Sequence, residues 1–261
     1  MNVPALVDGT RVAPPFDARR RFLRMTERSA VGHVRAWPVL VTGLLEPLLY
    51  LLSIGIGVGA LVGDVAYQGR SIPYETFVAS GMLATAAMNG AVFDTTFNFF
   101  IRLKYAKLYD AVLATPLEPR DVALGEVTWA LLRGAFYSLA FLVTMTALGL
   151  IDSWWGLLAM PATVLIGAAF AAIGLAGSTF MRSFLDFDFV NLAITPMFLF
   201  SATFFPLEEY PGWLAAIVQV TPLYQGVALC RALTTGEVGP GLLGHVAYLG
   251  ALVAVGVAVG G

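Results

Sequence analysis

"LLEPLLYLLSIGIGVGALVG", residues 44–63, holds one ionisable side chain, Glu46, and one proline, Pro47, in a run otherwise suited to hydrocarbon. A helix rising about 1.5 Å per residue needs about 20 apolar residues to cross about 30 Å of bilayer core. Runs of that length recur along the chain. Of its 261 residues 58% are hydrophobic and 12% charged, with a mean hydropathy of +0.79, whereas a soluble domain carries about 25% charged residues. The composition specifies an all-α membrane protein forming one polytopic domain.

Working outward from the opening run, the hydropathy pattern predicts six transmembrane helices near residues 38–62, 74–101, 127–150, 156–180, 189–205 and 240–261. Residues 1–15, with Pro4, Pro14 and Pro15, read as a flexible tail. Residues 16–37, "FDARRRFLRMTERSAVGHVRAW", alternate arginines with Phe16, Leu23, Ala30, Val34 and Trp37 at near-helical spacing, the pattern of an amphipathic helix lying in the interface. Residues 38–261 then form the six-span domain. The first apolar run is too long for a signal-peptide core and lacks a small-residue cleavage site, so it is read as a retained span. The last span ends at Gly260-Gly261 without a basic flank.

Seven of the thirteen arginines (Arg11, Arg19, Arg20, Arg21, Arg24, Arg28 and Arg35) precede the first span. Placing the N-terminus inside puts twelve cationic residues in inner segments and two, Arg70 and Arg231, outside, leaving Arg133 within the third span. The expected location is the cytoplasmic membrane, multi-pass, N-terminus inside. An arginine-rich flank beside a span serves headgroup contact, so no nucleic-acid partner is expected. Cys230 is the single cysteine, which excludes an intrachain disulfide.

Two connections are not ordinary loops. Residues 102–126, "RLKYAKLYDAVLATPLEPRDVALGE", carry Tyr105, Leu108 and Tyr109 at helical spacing before a Pro116–Pro119 turn that interrupts the helix. Residues 205–237 are too apolar for a solvated loop, yet Pro211 and Pro222 break them. Short re-entrant helices in the outer leaflet fit, because backbone at that depth must satisfy its own hydrogen bonds.

Lys104 and Lys107 are the only lysines and neither follows a glycine, so the chain holds no G-x-x-x-x-G-K-[ST] phosphate loop. It is not itself a Walker-type ATPase; no cofactor is expected in it, and any ATP and Mg would be bound by a partner. Gly55, Gly59 and Gly63, at i, i+4 and i+8, read as a helix-packing face. His33 and His245 lie far apart without ligand partners, so no metal site is expected, and no nucleophile elbow occurs.

Charges inside the spans must face one another, a neighbouring subunit or a wet cavity, since one exposed at mid-bilayer costs roughly 2.5–3.5 kcal/mol on insertion scales. Glu46, Asp94 and Arg133 fall at similar depths in the first three spans and are expected to meet, as a static bridge or as lining of a cavity. Pro47 and Pro196 bend their helices. Met197, Phe198, Phe200, Phe204 and Phe205 form a soft apolar wall near the outer end, or simple packing. If ATP energy is used, 102–126 is the surface on which a separate ATPase would dock. Tyr105, Leu108 and Tyr109 would be its apolar anchors, with Arg102, Lys104, Lys107 and Asp110 fixing register; a solvated connector is the plain alternative.

The stretches "EPLLYLLSIGIGVGALVG", "YETFVASGMLATAAMNGAVFDTTF", "LYDAVLATPLEPRDVALGE", "ITPMFLFSATFFPLEEYP" and "TPLYQGVALCRALTTG" together resemble the type-2 ABC exporter permeases. The likeness is to the branch of nodulation lipo-oligosaccharide exporter and drug-exporter permeases. The resemblance implies six spans, an interfacial N-terminal helix, a coupling helix after the second span, and outer re-entrant helices between the fifth and sixth. It also implies a homodimer served by two ATP-binding cassette ATPase subunits. The implied cargo is an amphiphile: a glycolipid, lipo-oligosaccharide or hydrophobic drug. By the same likeness, coupling falls on Tyr105 to Pro116 and on Pro119 to Glu126, including Lys107, Leu108, Tyr109, Asp110 and Arg120, and Glu46-Pro47 belongs to the first-span signature. Relatives often carry histidine where Gln225 follows "PLY", so a proton-sensitive role is not expected there. The alternative function is an ion-coupled secondary transporter using Glu46 and Asp94, which the absence of an inverted hydropathy repeat disfavours.

Overall fold

The computed structural model describes residues 21–35, 45, 48–115 and 117–260. The expected tail, the start of the first span, Glu46, Pro47 and Pro116 lie outside them.

Helix α1 (Arg21–Arg35) buries Met25 and Thr26 and leaves Arg24 and Glu27 exposed, paired at 2.9 Å. Helix α2 (Leu48–Val62) is π-helical over Leu51–Val58. Gly63 then turns the chain with φ +71° into an antiparallel hairpin of β1 (Asp64–Tyr67) and β2 (Arg70–Pro73). At its tip Gln68 and Gly69 both take positive φ, 49° and 78°, the geometry that lets a two-residue turn follow the strands' twist. This hairpin corrects the all-α expectation.

Helix α3 (Tyr74–Tyr105) runs for 32 residues, with π-helical segments at Asp94–Asn98 and Ile101–Tyr105. The short α4 (Leu108–Leu113) follows Lys107, a non-glycine residue at φ 45°. Helix α5 (Pro119–Ala147) starts from a capping box in which Glu118 and Asp121 each bond the other's backbone N–H, with Pro119 at the first helical position. Then come α6 (Trp154–Phe180), α7 (Asp186–Leu199), α8 (Gly212–Val220), α9 (Pro222–Thr235) and α10 (Gly241–Gly260).

Among the described residues four helices are long and apolar enough to cross a membrane: α3, α5, α6 and α10 over Gly241–Val259. They coincide with the second, third, fourth and sixth expected spans. The α8–α9 pair bends by 86° and would be a fifth if counted as one span. The sharp bend has a local cause, because Pro222 offers no N–H to continue α8 and Thr221 instead caps α9, its Oγ1 accepting from Tyr224 N. Helix α7, where the fifth span was expected, has 14 residues, about 21 Å at 1.5 Å per residue. It stops at Phe200, three residues beyond Met197, well short of 205.

Helix α3 is the hub. In its most apolar 18-residue stretch 83% of residues are buried, against 11% in α10, so α10 lies at the periphery with side chains such as Leu243 exposed. Small residues allow the helices to close up: a Cβ at Gly256 on α10 would lie 2.6 Å from that of Ala172 on α6. Of the expected glycine face, Gly55 and Gly59 do pack, against Glu75 and Tyr74 in the first turn of α3. Gly63 faces open space; its role is the turn into the hairpin.

Candidate functional site

Two ion pairs, each with a buried carboxylate, organise the end of the bundle that carries α1 and α4. The first is built by local geometry. Gly125 lies where α5 crosses α1, and a Cβ there would sit 2.5 Å from Met25 Cβ and 3.0 Å from Phe22 O. That contact lets Thr26 Oγ1 reach within 3.2 Å of both Phe22 O and Gly125 O. The next residue, Glu126, is thereby buried, and a buried carboxylate must find a cation. Arg102, near the end of α3, supplies it: Nη1 of Arg102 pairs with Oε2 of Glu126. The left-handed Lys107 folds α4 back so that Tyr109 is buried beside the pair, packed on Met25 and Val122 with its ring 5.3 Å from that of Phe99. Burial, and then the Glu126 carboxylate, push the Tyr109 phenol above its ordinary pKa, so it stays protonated at neutral pH. Four elements therefore meet on one hydrophobic and ionic joint: α1, the end of α3, α4 and the start of α5.

This arrangement sorts the residues expected to contact a partner. Lys104, Tyr105, Lys107, Asp110, Pro119 and Arg120 are exposed and Leu108 is half-buried. Tyr105 stands 62% exposed, leaning on Phe184 at 5.2 Å between ring centroids. Tyr109 is not an outward anchor, and Arg102 is not free to set register with a partner. Both are corrections, with one reason: Glu126 draws them inward.

The second pair is Asp94 and Arg133, expected from the sequence to meet. Nε of Arg133 lies 2.8 Å from Oδ2 of Asp94, their side chains 8% and 5% exposed. Asp94 Oδ1 accepts from Asn98 Nδ2 at 2.7 Å, and the guanidinium stands 5.7 Å from the Tyr137 ring centroid. Asp94 opens the π-helical turn of α3; such bulges occur often at functional positions.

At the hairpin end the expected aromatic wall divides. Phe198, Phe204 and Phe205 line a groove of about 730 Å³ with Tyr50, Ile54 and Val58; Phe198 and Phe204 meet edge to face at 5.1 Å. Met197 belongs to a different groove, of about 850 Å³, with Phe170, Phe189 and Ile194. Phe200 lines neither; its ring lies tilted at 60° to that of Tyr210, 6.3 Å between centroids.

Comparison with known proteins matches residues 20–234 to the family described as ABC-2 type transporter. The chain belongs to that family. Nodulation protein J of Rhizobium leguminosarum bv. trifolii is 34% identical over 208 residues, covering 79% of this chain and 78% of the relative. Nodulation protein J of Rhizobium meliloti (strain 1021) is 32% identical over 196 residues, covering 74% and 73%. The "Probable doxorubicin resistance ABC transporter permease protein DrrC" of Mycobacterium tuberculosis (strain CDC 1551 / Oshkosh) is 24% identical over 237 residues, covering 87% and 83%. This ABC-2 type transporter chain is thus a multi-pass membrane protein of a transport family.

Within the ABC-2 chain, the structural roles of three residues are not legible in the sequence. Glu126 stands at the edge of the third expected span and closes the stretch that the likeness gives to coupling, but its pairing is not legible; its one signal is a lone acid opening an apolar run. Gly125 is one of 27 glycines, and only its contact with Met25 distinguishes it. The hydropathy pattern puts Arg231 in an outer loop, yet it is 2% exposed. The α1–α5 contact has a direct test. Gly125→Val is expected to destabilise the protein by about 1–3 kcal/mol through overpacking, lowering the thermal unfolding midpoint in nanodiscs. Gly134→Ala on the same helix, where a Cβ meets nothing within 4 Å, is expected to leave it within about 0.5 kcal/mol.

Proposed function

We propose that this chain is the permease subunit of an ATP-driven exporter, working as a homodimer in the cytoplasmic membrane with its N-terminus inside. A separate ATP-binding cassette ATPase binds ATP and Mg. The observation that carries this reading is the joint at the α1 end. An exposed surface of Lys104, Tyr105, Lys107, Asp110 and Arg120 rests on the buried Arg102–Glu126 pair, which ties it to α1, α3 and α5. A push on that surface would be passed to the start of α5 and the end of α3 rather than absorbed by a loose loop. The family, and the lack of a phosphate loop in the chain, supply the reason for a partner there.

In this reading the bundle has six spans, with α2 the described part of the first and α7 the core of the fifth, and α8–α9 is a re-entrant pair. Closure of the ATPases biases the bundle between two arrangements, and Asp94–Arg133 is the joint of its inner half. The cargo is amphiphilic: the two apolar grooves have volumes within the roughly 300–1,000 Å³ of small-molecule sites, and one relative's name refers to doxorubicin resistance.

The test is co-expression with a candidate ATPase from the same genome. Tyr105→Ala combined with Lys107→Glu is expected to lower permease-stimulated ATP hydrolysis at least about tenfold, the loss of about 1.4 kcal/mol or more of interface energy. Thermal unfolding of the purified permease should stay unchanged, because both side chains are exposed. Unchanged hydrolysis would remove this surface from the interface. Transport that persists without nucleotide and vanishes with Asp94→Asn would favour the ion-coupled alternative.

A further inference from the structure

Helix α7 stands apart from the rest of the bundle. Of its 14 residues only Phe187 is buried, while Phe189 and Leu192 are 71% and 69% exposed. Both apolar grooves border it: Phe189, Val190, Ile194 and Met197 line the one of about 850 Å³, Phe198 and Leu199 the one of about 730 Å³. A tilt of α7 would therefore change the width of both.

What holds α7 is the turn that opens it. Phe184 and Phe187, three residues apart, share a face and meet Phe97 and Phe100, also three apart, near the end of α3. The Phe187 ring lies 5.2 Å from that of Phe97 and 5.4 Å from that of Phe100; the Phe184 ring lies 5.7 Å and 6.0 Å from the same two. Phe184 belongs to α7 mechanically, although it precedes the helix. Its carbonyl accepts from Phe187 N at 3.2 Å, and Leu185 O accepts from Asp188 N at 3.1 Å. The Asp186 carboxylate takes the N–H groups of Arg182 and Ser183 at 2.6 and 2.9 Å, so residues 182–188 form one hydrogen-bonded body with the first turn.

The same Phe184 ring touches Tyr105, 5.2 Å between centroids. It thus bridges the proposed docking surface and α7. Rings in this mutual contact cannot shift singly without opening a gap, and packed groups that lose contact lose the attraction outright. The joint at Arg102 and Glu126 serves α1, α4 and α5; the ring cluster is a second branch from the same end of α3. Within it the roles divide by burial. Phe187, 9% exposed, anchors α7, whereas Phe184, 42% exposed, can be removed while that anchor stays.

We propose that Phe184 is a positioning residue for transport, carrying displacement of Tyr105 into α7 and so into both grooves at once. The proposal rests on the exporter reading above and names the route from its docking surface to its grooves.

The test uses the full-length permease with its cognate ATPase in nanodiscs, an environment-sensitive fluorophore being attached at Leu192→Cys; Cys230, 0% exposed, stays unlabelled. ATP is expected to shift the emission of the label. Phe184→Ala is expected to cut that shift at least about fivefold, within the range of couplings between side chains in contact. Phe184→Tyr should keep more than half of it, and Phe184→Leu, which retains apolar bulk should the alanine variant fold poorly, should lose at least about half. Leu185→Ala, at a neighbouring position 73% exposed, should leave it unchanged. Permease-stimulated ATP hydrolysis should stay within about twofold throughout, which a residue serving only the stability of this end of the bundle would not allow. No ATP-driven shift in the parent, a full shift in Phe184→Ala or Phe184→Leu, or hydrolysis that falls in step with the shift would each overturn the proposal. If that happens while hydrolysis still depends on Tyr105 and Lys107, the exporter reading stands and the α7 branch alone falls.

Discussion

Arg133→Met should lower the unfolding free energy by about 3–5 kcal/mol, measured as a shift in thermal or denaturant midpoint in nanodiscs. Among the described residues the variant leaves Asp94 buried with only Asn98 as partner, and breaking one side of a buried pair costs about that much, mostly as the penalty of the orphaned charge. Adding Asp94→Asn removes that charge, so the double variant is expected to recover to within about 1–2 kcal/mol of the parent. This pattern separates the two roles that the sequence left open. A static bridge gives a large single-variant loss and strong recovery. A carboxylate in a wet cavity is solvated when its partner is removed, and Arg133→Met alone would then cost less than about 1 kcal/mol.

Arg231→Met carries the second large effect, a loss of about 3 kcal/mol with loosening of the 201–205 segment. Phe77 O retains a donor in Ser80 Oγ at 2.8 Å, so its cost is small. Ala202 O loses the only side-chain donor among the described residues, Arg231 Nη2 at 2.8 Å. Ala202 also sits at φ 57°, a left-handed conformation that costs an L-residue about 1–2 kcal/mol and persists only where neighbours over-determine it. Removing the clamp therefore frees an orphaned carbonyl and a strained turn together. Arg231→Lys keeps the charge but lacks the planar fork that reaches Phe77 and Ala202 at once, and is expected to restore less than half of the loss. Ala202→Gly in the parent is expected to gain up to about 1 kcal/mol by relieving the strain. Hydrogen exchange at residues 201–205 checks the local part of the prediction.

The long helices were legible because bilayer thickness fixes their length: α3, α5, α6 and α10 lie where hydropathy places them. Helix α7 was not, since Pro196 withdraws a donor within its last turn and the chain leaves the helix at Phe200. Asp94 and Arg133 could be paired in advance because a charge deep in an apolar run has to find its opposite. Arg102 and Glu126 could not: they are 24 positions apart across a reversal set by one left-handed residue, Lys107, and both stand at the margins of spans, where a charge reads as solvated. The same habit placed Arg231 in an outer loop, although "CRAL" is as apolar around it as any helix interior. The hairpin had its signal in Gln68-Gly69 between Val65 and Ile72, too short to compete with the neighbouring helical runs.

In the proposed exporter, cargo moves only when nucleotide chemistry on another molecule drives this chain. Proteoliposomes containing the permease alone or with a cognate ATPase, loaded with a fluorescent amphiphile, test it most directly. Accumulation against the concentration gradient is expected only with both proteins and hydrolysable ATP, and to fail with Tyr105→Ala and Lys107→Glu. Uphill accumulation by the permease alone, driven by an ion gradient and indifferent to ATP, would contradict it.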